Sequence, residues 1–417
     1  MQPGPRRSSA AITPLIVAQA VTLTGSAATR FALGLVVYSH DHQVSDLSLV
    51  LVAGFVPGLL LTPVVGAAVD RYGPLRFVIL GDLVGALVVA ALIAAATLPQ
   101  LGPPDRWTYA LASAGFSVAS SLQLPAVNAT IPRLVEPDAL PAANGWVSAA
   151  GSVGELLGPV IGGGLLALTG LTTVLALDLA SYAVAIGVLA TRTATHRRAL
   201  AGAAPTGAAT VWDQLAGGLR DLRARDELLR FVLLGTAFNF VYGMYAVVAQ
   251  PYVLGFADPG TLGGLYAAFA VGTLTGAALS GRIGAGSPVT GMVAMLAVLG
   301  VTMAISGLVP WIPVVAGCWF GSGVGLALLG SLSTTVLHRS TPPERHGRLF
   351  AAVQFSAWCV LPVAQVLAGW LSDRVFGVDG LGALVVGLGV ALAALAGVAA
   401  TMRSLWALDR PVPTVTT

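Results

Sequence analysis

Apolar stretches long enough to cross a bilayer recur from one end of this 417-residue chain to the other. A membrane-spanning helix needs about 20 consecutive, mainly apolar residues. Hydrophobic residues make up 56% of the sequence and charged residues only 9%, whereas an ordinary soluble domain carries about 25% charged residues. A water-soluble core could not absorb so much apolar sequence, so the chain is predicted to be an α-helical membrane protein.

Proline, glycine and charged residues divide the chain into twelve predicted membrane-spanning helices. These helices begin near residues 12, 47, 75, 106, 142, 171, 228, 260, 289, 311, 347 and 379. The first apolar stretch, residues 12–38, is too long for the core of a secretory signal peptide. It is therefore predicted to remain in the mature protein as helix 1.

The arginines predict how the chain is oriented in the membrane. Eighteen of the 21 arginines, including Arg6 and Arg7, fall in segments on one side if the N-terminus is cytoplasmic. Arg106 and Arg374 fall on the other side, and Arg30 lies within helix 1. Because cytoplasmic loops carry an excess of positive charge, both termini are predicted to be cytoplasmic. The expected location is the inner (plasma) membrane of a bacterial-type cell, as a multi-pass protein.

Two short internal similarities predict that the chain arose by duplication. GAAVDRYG at residues 66–73 is similar to AALSGRIG at residues 277–284, and an arginine precedes a proline by four residues at both Arg133 and Arg339. The fold prediction is therefore an all-α membrane protein whose twelve helices form two pseudo-symmetric six-helix bundles. The predicted segments are a cytoplasmic N-terminus 1–11, a first bundle 12–192, a cytoplasmic linker 193–227, a second bundle 228–401 and a cytoplasmic tail 402–417.

The linker contains a predicted basic amphipathic helix. Its apolar face consists of Trp212, Leu215, Leu219 and Leu222. Arg220 and Arg223 lie on the opposite face. The sequence leaves two interpretations open, a helix lying on the anionic inner leaflet and a solvated linker helix.

The loop between helices 2 and 3, GAAVDRYGPLR, resembles the signature loop of the major facilitator superfamily. The matching positions are Gly66, Asp70, Arg71, Gly73 and Arg76. Glycine allows a tight turn there, and an aspartate can cap a helix or pair with an arginine. The resemblance implies a gating role, in which a charge cluster latches the cytoplasmic side. In the second copy Gly281 replaces the aspartate, so only the first loop is expected to latch strongly.

Helix 5 contains GELLGPVIGG, which resembles a motif of the export-type antiporters of that superfamily. The matching positions are Gly154, Gly158, Pro159, Gly162 and Gly163. Small residues four apart allow close helix contact in lipid, and proline bends a helix. The motif favours export over import, although glycines at this spacing also occur for packing alone.

Further strings, PRLVEPDALPAANG, LDLASY and VWDQLAGGLRDL, resemble the subgroup that contains enterobactin-type siderophore and macrolide exporters. The resemblance thus covers nearly the whole chain. It implies a secondary transporter that works by proton antiport. Helix 4, however, lacks the R-x-x-x-G proton-relay motif of the best-known drug antiporters, so the route of the proton is open.

Ionisable residues inside predicted spans are candidates for proton coupling, because a buried charge costs at least about 2.5 kcal/mol. The candidates are Arg30, Asp82, Glu155 and Asp178. Arg30 and Glu155 lie at similar depth in helices 1 and 5, which predicts a pair in which Glu155 takes up the proton. A permanent ion pair that only fixes packing is the alternative. For Asp82 and Asp178, structural hydrogen bonding is the favoured interpretation, and Asp82 could instead join the Asp70 and Arg71 cluster.

Polar and aromatic residues at helical spacing predict the faces that line a substrate cavity, although such residues can also join helices. The candidates are Gln19, Ser26, Asn128, Asn239, Tyr242, Tyr245, Gln354 and Trp358.

The sequence lacks the signatures of several other classes of protein. The basic residues follow membrane topology rather than a nucleic-acid-binding stripe. No P-loop can occur without lysine, and no clustered ligands indicate a metal or another cofactor. An intramembrane enzyme would need an aspartate-rich or histidine–carboxylate cluster at the membrane face, which the sequence does not contain.

The predicted function is export of a drug-like or secondary-metabolite molecule by proton antiport with alternating access. The expected partners are a small-molecule substrate, protons and membrane lipid, with the protein acting as a monomer. The alternatives are an importer or uniporter of a nutrient and, more remotely, an intramembrane enzyme or a non-transporting sensor.

Overall fold

The structure is a computed structural model that describes residues 13–98, 100, 104–200, 211–283, 287–341 and 346–409. Twelve helices in this part of the chain are long and apolar enough to cross a membrane, which confirms the predicted number. Their starts agree with the predicted ones to within a few residues. The predicted N-terminal segment 1–11, with Arg6 and Arg7, and residues 410–417 of the predicted tail lie outside the described residues.

Sixteen α-helices make up most of the described chain, and it contains no β-strand. The helices of the first half are α1 (Thr13–Asp41), α2 (Val44–Ala53), α3 (Val56–Tyr72), α4 (Pro74–Thr97), α5 (Arg106–Leu134), α6 (Leu140–Thr169) and α7 (Leu171–Leu200). Those of the second half are α8 (Val211–Arg223), α9 (Asp226–Leu254), α10 (Pro259–Ile283), α11 (Pro288–Leu308), α12 (Ile312–Arg339), α13 (His346–Trp358), α14 (Leu361–Leu371), α15 (Leu381–Thr401) and α16 (Arg403–Ala407).

Two of the membrane spans are interrupted helices. The second span is divided into α2 and α3 at Gly54 and Phe55, and a proline lies in the first turn of α3. The eleventh span is divided into α13 and α14, again with a proline in the first turn of the second piece. A proline is well suited to the first turn of a helix, because the amide hydrogen that it lacks would have no partner within the helix there.

The chain divides into two compact units, with the boundary in the segment that joins α7 to α8. In the first unit, α1 packs against α6 and α7, while α5 packs against α3 and α4. In the second unit, α12 packs against α10 and α11, and α9 packs against α14 and α15. The short segment Gln43–Ser48 groups with the second unit. There the carboxylate of Asp373 accepts hydrogen bonds from the backbone amides of Val44 at 2.9 Å and Ser45 at 2.8 Å.

The predicted linker helix is present as α8, and the two interpretations of its surroundings, anionic lipid and solvent, stay predictions. It packs against α13 of the second unit, and Leu222 on its apolar face is 2% exposed. Just after it, the Arg225 guanidinium donates a hydrogen bond to the Ser340 carbonyl at 2.6 Å. Residues 201–210 of the linker lie outside the described part, as do the side chains of Trp212 and Leu215.

Candidate functional site

A polar cavity of about 480 Å³ lies inside the first unit, between α1, α5 and α6. Its polar lining consists of Gln19, Arg30, Ser120, Gln123, Asn128, Ser148 and Glu155. Four of these were predicted, Gln19 and Asn128 for substrate contact and Arg30 and Glu155 for proton coupling. The cavity therefore carries one guanidinium, one carboxyl group and three amides within a membrane-spanning bundle.

Arg30 and Glu155 share this cavity without forming the predicted ion pair. Across the described chain, no nitrogen–oxygen contact within 4.0 Å joins them. Glu155 is exposed to the cavity, and Arg30 is half-buried. Arg30 instead interacts electrostatically with Asp178 of α7. Similar depth along two helices was thus not enough to predict contact between these side chains.

The glycines of GELLGPVIGG lie where α6 meets α1. A methyl group on Gly154 would lie 3.1 Å from Leu23, and methyl groups on Gly158 and Gly162 would overlap Ala27 and Ala28. Cβ atoms essentially never approach other atoms to within 3.0 Å, so the contacts at Gly158 and Gly162 require glycine, whereas at Gly154 a small shift of Leu23 would be needed. Gly163 is also buried, and Pro159 lies inside the continuous helix α6. The motif therefore forms a close α1–α6 interface beside the cavity.

Ser26 was predicted to line the cavity, but it lies inside the bundle. Its hydroxyl is 2.7 Å from the Tyr182 hydroxyl and donates to Oδ1 of Asp178 at 3.4 Å. Asp178 is 1% exposed and Tyr182 3%. These contacts agree with the favoured interpretation of Asp178 as a hydrogen-bonded residue. Ser26 does not line this cavity, and its predicted contact with substrate stays a prediction.

Asp82 of α4 is fully buried and accepts a hydrogen bond from the side-chain amide of Gln123 of α5. This contact agrees with the favoured interpretation of Asp82 as a hydrogen-bonded residue, and the alternative in which it joins the Asp70 and Arg71 cluster stays a prediction. Gln123 also lines the cavity, so Asp82 contacts a residue of the cavity lining without lining the cavity itself.

A second cavity, of about 290 Å³, lies inside the second unit, between α9, α11, α12 and α13. It brings together three predicted substrate residues, Asn239, Gln354 and Trp358. Most of the remaining wall is apolar and includes Phe231, Phe238 and Phe350. The sequence analysis missed these three residues, although Phe238 lies one helical turn before Tyr242 and continues its stripe.

Tyr242 and Tyr245 border a separate, smaller cavity of about 120 Å³ in the same unit. Tyr266, Phe269 and Trp319 complete its aromatic wall. The Tyr266 and Trp319 rings meet edge to face, with their centroids 5.0 Å apart. The predicted substrate residues of the second half therefore divide between a mixed cavity and an aromatic one.

The α3–α4 loop turns at Gly73, whose φ is +90°. Its backbone amide donates to the Val69 carbonyl at 3.0 Å and so ends α3. Arg71 is exposed and lies over the Tyr72 ring, 5.3 Å from its centroid. Arg76 is exposed, and Gly66 has open space beside it. The side chain of Asp70 lies outside the described residues, so its predicted capping or pairing stays a prediction.

The family model of the Major Facilitator Superfamily matches residues 15–364. The chain is a member of the major facilitator superfamily. Its members are transporters of small molecules rather than enzymes, so the chain is a multi-pass membrane transporter.

Relatives within the major facilitator superfamily include efflux proteins. Macrolide efflux protein A of Streptococcus pyogenes is 24% identical over 86% of this chain and 88% of its own length. The multidrug efflux pump Tap of Mycolicibacterium fortuitum is 26% identical over 95% of this chain and 97% of its own.

Solved structures show the same fold at low sequence identity. A bacterial homolog of the human lysosomal transporter Spinster, inward-facing and unoccupied, has a TM-score of 0.73 at 15% identity. That match covers 99% of this chain and 100% of the other. A bacterial homologue of the iron transporter ferroportin, in the inward-facing state, has a TM-score of 0.71 at 18% identity and covers 96% of this chain and 98% of the other. These likenesses confirm the predicted twelve-helix major facilitator fold.

Proposed function

We propose that this transporter exports a drug-like or secondary-metabolite small molecule from the cell in exchange for protons. The observation that carries the proposal is the polar cavity of the first unit, which Arg30 and Glu155 line together with three amides. Two relatives along most of the chain, named for macrolide and multidrug efflux, support the direction and the substrate class. A macrolide, a siderophore or another drug-like molecule is the expected cargo.

The chemistry of the cavities favours a large substrate with both polar and apolar parts. Amide groups of Gln19 and Asn128 offer hydrogen bonds in the first unit, and those of Asn239 and Gln354 do so in the second. Aromatic and aliphatic walls bind apolar surface, while a few polar groups fix orientation. The cavity linings contain one cation and one anion, so a substrate with little fixed charge is favoured.

Glu155 is the proposed coupling group in the cavity. It is exposed there, so it can exchange a proton with water and can contact the substrate. Protonation removes a negative charge opposite Arg30, and that changes how the cavity binds its cargo. Alternating access then converts the exchange of proton and cargo into net export.

We further propose that the protein lies in the inner membrane with both termini cytoplasmic and acts as a monomer. The arginine distribution supports this orientation. Lipid is its surroundings, and protons and the cargo are its only proposed ligands.

The experiment uses everted membrane vesicles that contain the full-length protein and a pH-sensitive dye. Respiration acidifies the lumen, and a panel of macrolides, siderophores and cationic dyes is then added. Export by proton antiport predicts that at least one compound makes the lumen more alkaline. Glu155→Gln is expected to abolish the response, whereas Glu136→Gln, at an exposed loop carboxyl, retains it. A cargo taken up equally well without a pH gradient would contradict proton coupling.

A further inference from the structure

A line of buried polar groups runs behind the cavity of the first unit, through α1, α7 and α4. The Tyr182 hydroxyl, the Ser26 hydroxyl and Oδ1 of Asp178 follow one another at 2.7 and 3.4 Å. Ser181 approaches the same Oδ1 at 3.3 Å. These side chains are 7% exposed or less, and Asp178 and Ser181 border a separate groove of about 380 Å³ between α1, α6 and α7.

Asp178 is incompletely satisfied in this line. Its second oxygen, Oδ2, is buried and makes no hydrogen bond of normal geometry in the described part of the chain, although the buried Thr29 hydroxyl of α1 lies nearby. No cation lies within ion-pair distance of it there, although Arg30 is near enough to interact electrostatically. A buried, unpaired carboxylate is strongly disfavoured, and binding a proton removes that cost.

Two glycines, Gly25 and Gly85, provide the space that these polar groups occupy. A methyl group on Gly25 of α1 would lie 2.7 Å from Oδ1 of Asp178 and 2.9 Å from the Ser181 hydroxyl. A methyl group on Gly85 of α4 would overlap the Tyr182 ring and hydroxyl. Interhelical hydrogen bonds in a membrane contribute little on average, and Leu or Val would fill such space without a buried acid. Packing alone therefore does not explain the aspartate.

We propose that Asp178 is a proton-binding site of the transporter and that Arg30 links it to the cavity. This inference rests on the proposed proton antiport and places a second, buried carboxyl group beside Glu155. Arg30 is flanked by Asp178 within the bundle and by Glu155 across the cavity. When Asp178 releases its proton, its negative charge holds the guanidinium inside the bundle. When Asp178 binds a proton, Arg30 is free to act on Glu155 and on the cargo.

Four other titratable groups lie on Asp178's own helix or on elements of the same unit. Tyr182 lies on its own helix, and Asp82 faces Tyr182 from α4. Tyr109 of α5 belongs to the same packed cluster as Tyr182. From α6, Glu155 faces the cavity that Arg30 lines. Arg30 is therefore the charged side chain through which the state of Asp178 reaches the cavity.

The test compares Asp178→Asn with Asp46→Asn in purified protein reconstituted into proteoliposomes. Both aspartates are buried, and both asparagines keep the size of the side chain. Only Asp178 is linked to Arg30. Two reactions are measured with a cargo identified for the wild type: uptake driven by a pH gradient, and exchange of labelled for unlabelled cargo without a gradient.

The proposal predicts that Asp178→Asn lowers gradient-driven uptake by about tenfold or more while exchange stays within about twofold of the wild type. Asp46→Asn, at a buried aspartate that lines none of the cavities described above, is expected to retain both reactions. Unchanged driven uptake in Asp178→Asn, or equal losses of driven uptake in both variants, would overturn the proposal. If the wild type itself shows no gradient-driven uptake, the proposed antiport fails first, and the two failures are thus distinguishable.

A second variant covers the case in which Asp178→Asn does not fold. Ser26→Ala removes a hydrogen-bond donor from the ionised carboxyl group but leaves the carboxyl group in place. Because the proton is then held more tightly, the curve of driven uptake against pH is expected to move toward alkaline pH. Ser113→Ala, at another buried serine of the first unit, is the control. Identical pH curves for Ser26→Ala and the wild type would contradict the role of Asp178.

Discussion

Gly162 of α6 lies against Ala28 of α1 so closely that a methyl group on Gly162 would be 3.0 Å from the Ala28 Cα atom. Gly162→Val should therefore force the two helices apart. Overpacking of this kind costs about 1–3 kcal/mol of stability. We expect a lower midpoint of thermal unfolding in detergent and loss of cargo transport.

The control for this interface is Gly164→Val, two residues further along α6, where no atom lies within 4 Å of the new Cβ. That variant should keep its unfolding midpoint. Equal midpoints for the two variants would show that the α1–α6 contact is not tight in the membrane protein.

Gly73 predicts a backbone effect in the α3–α4 loop. Its φ of +90° is reached readily only by glycine, so Gly73→Ala should destabilise the protein by about 1–3 kcal/mol. Gly66→Ala, in the interior of α3 with open space beside it, should be neutral or slightly stabilising. Thermal unfolding of the two purified variants compares them directly, and an unaffected Gly73→Ala would mean that the turn differs from this one.

We expect Trp358 to contact the cargo in the second unit. It lines the mixed cavity and is 42% exposed, whereas Trp370 in the same span is 54% exposed and lines none of the cavities described above. Trp358→Ala should raise the KM for transport by roughly tenfold, equivalent to about 1.4 kcal/mol of lost binding. Trp370→Ala should leave KM unchanged. If Trp370→Ala has the larger effect, the cavity assigned to the cargo is wrong.

We expect Asp373 to stabilise the first turn of α2. Its carboxylate accepts hydrogen bonds from the amides of Val44 and Ser45, the arrangement of a helix cap supplied by a distant residue. Removing such a cap costs about 0.5–2 kcal/mol. Asp373→Ala should therefore speed hydrogen exchange in the peptide that contains these amides. Asp379→Ala, at an exposed aspartate nearby, should leave the exchange rate unchanged, and slow exchange in both variants would argue against the cap.

The number of membrane spans and their starts could be predicted from sequence because apolar length alone decides them. The seventh membrane span, α9, was predicted to begin near residue 228 and begins at Asp226. The twelfth span, α15, was predicted to begin near residue 379 and begins at Leu381. The linker helix was also predictable from its period. Its packing against α13 was not, because an apolar face does not indicate whether protein or lipid covers it.

Contacts between particular side chains were harder to predict. Arg30 and Glu155 were paired by depth, but depth does not fix the direction in which a side chain leaves its helix. Ser26 belongs to a polar stripe on α1. Gln19 of that stripe lines the cavity, whereas Ser26 contacts α7, and the spacing of polar residues alone does not separate these two neighbouring faces. The Asp82–Gln123 hydrogen bond joins residues 41 apart in sequence, and no local pattern predicts it.

The most direct test of proton-driven export uses wild-type protein in proteoliposomes with an imposed pH gradient and a labelled macrolide. An acidic lumen should drive the macrolide inward to a concentration above that outside, after subtraction of the weak-base trapping seen in protein-free liposomes. Collapse of the gradient with an ionophore should release the accumulated macrolide. Accumulation driven instead by an acidic exterior, or simple equilibration under every gradient, would contradict the account.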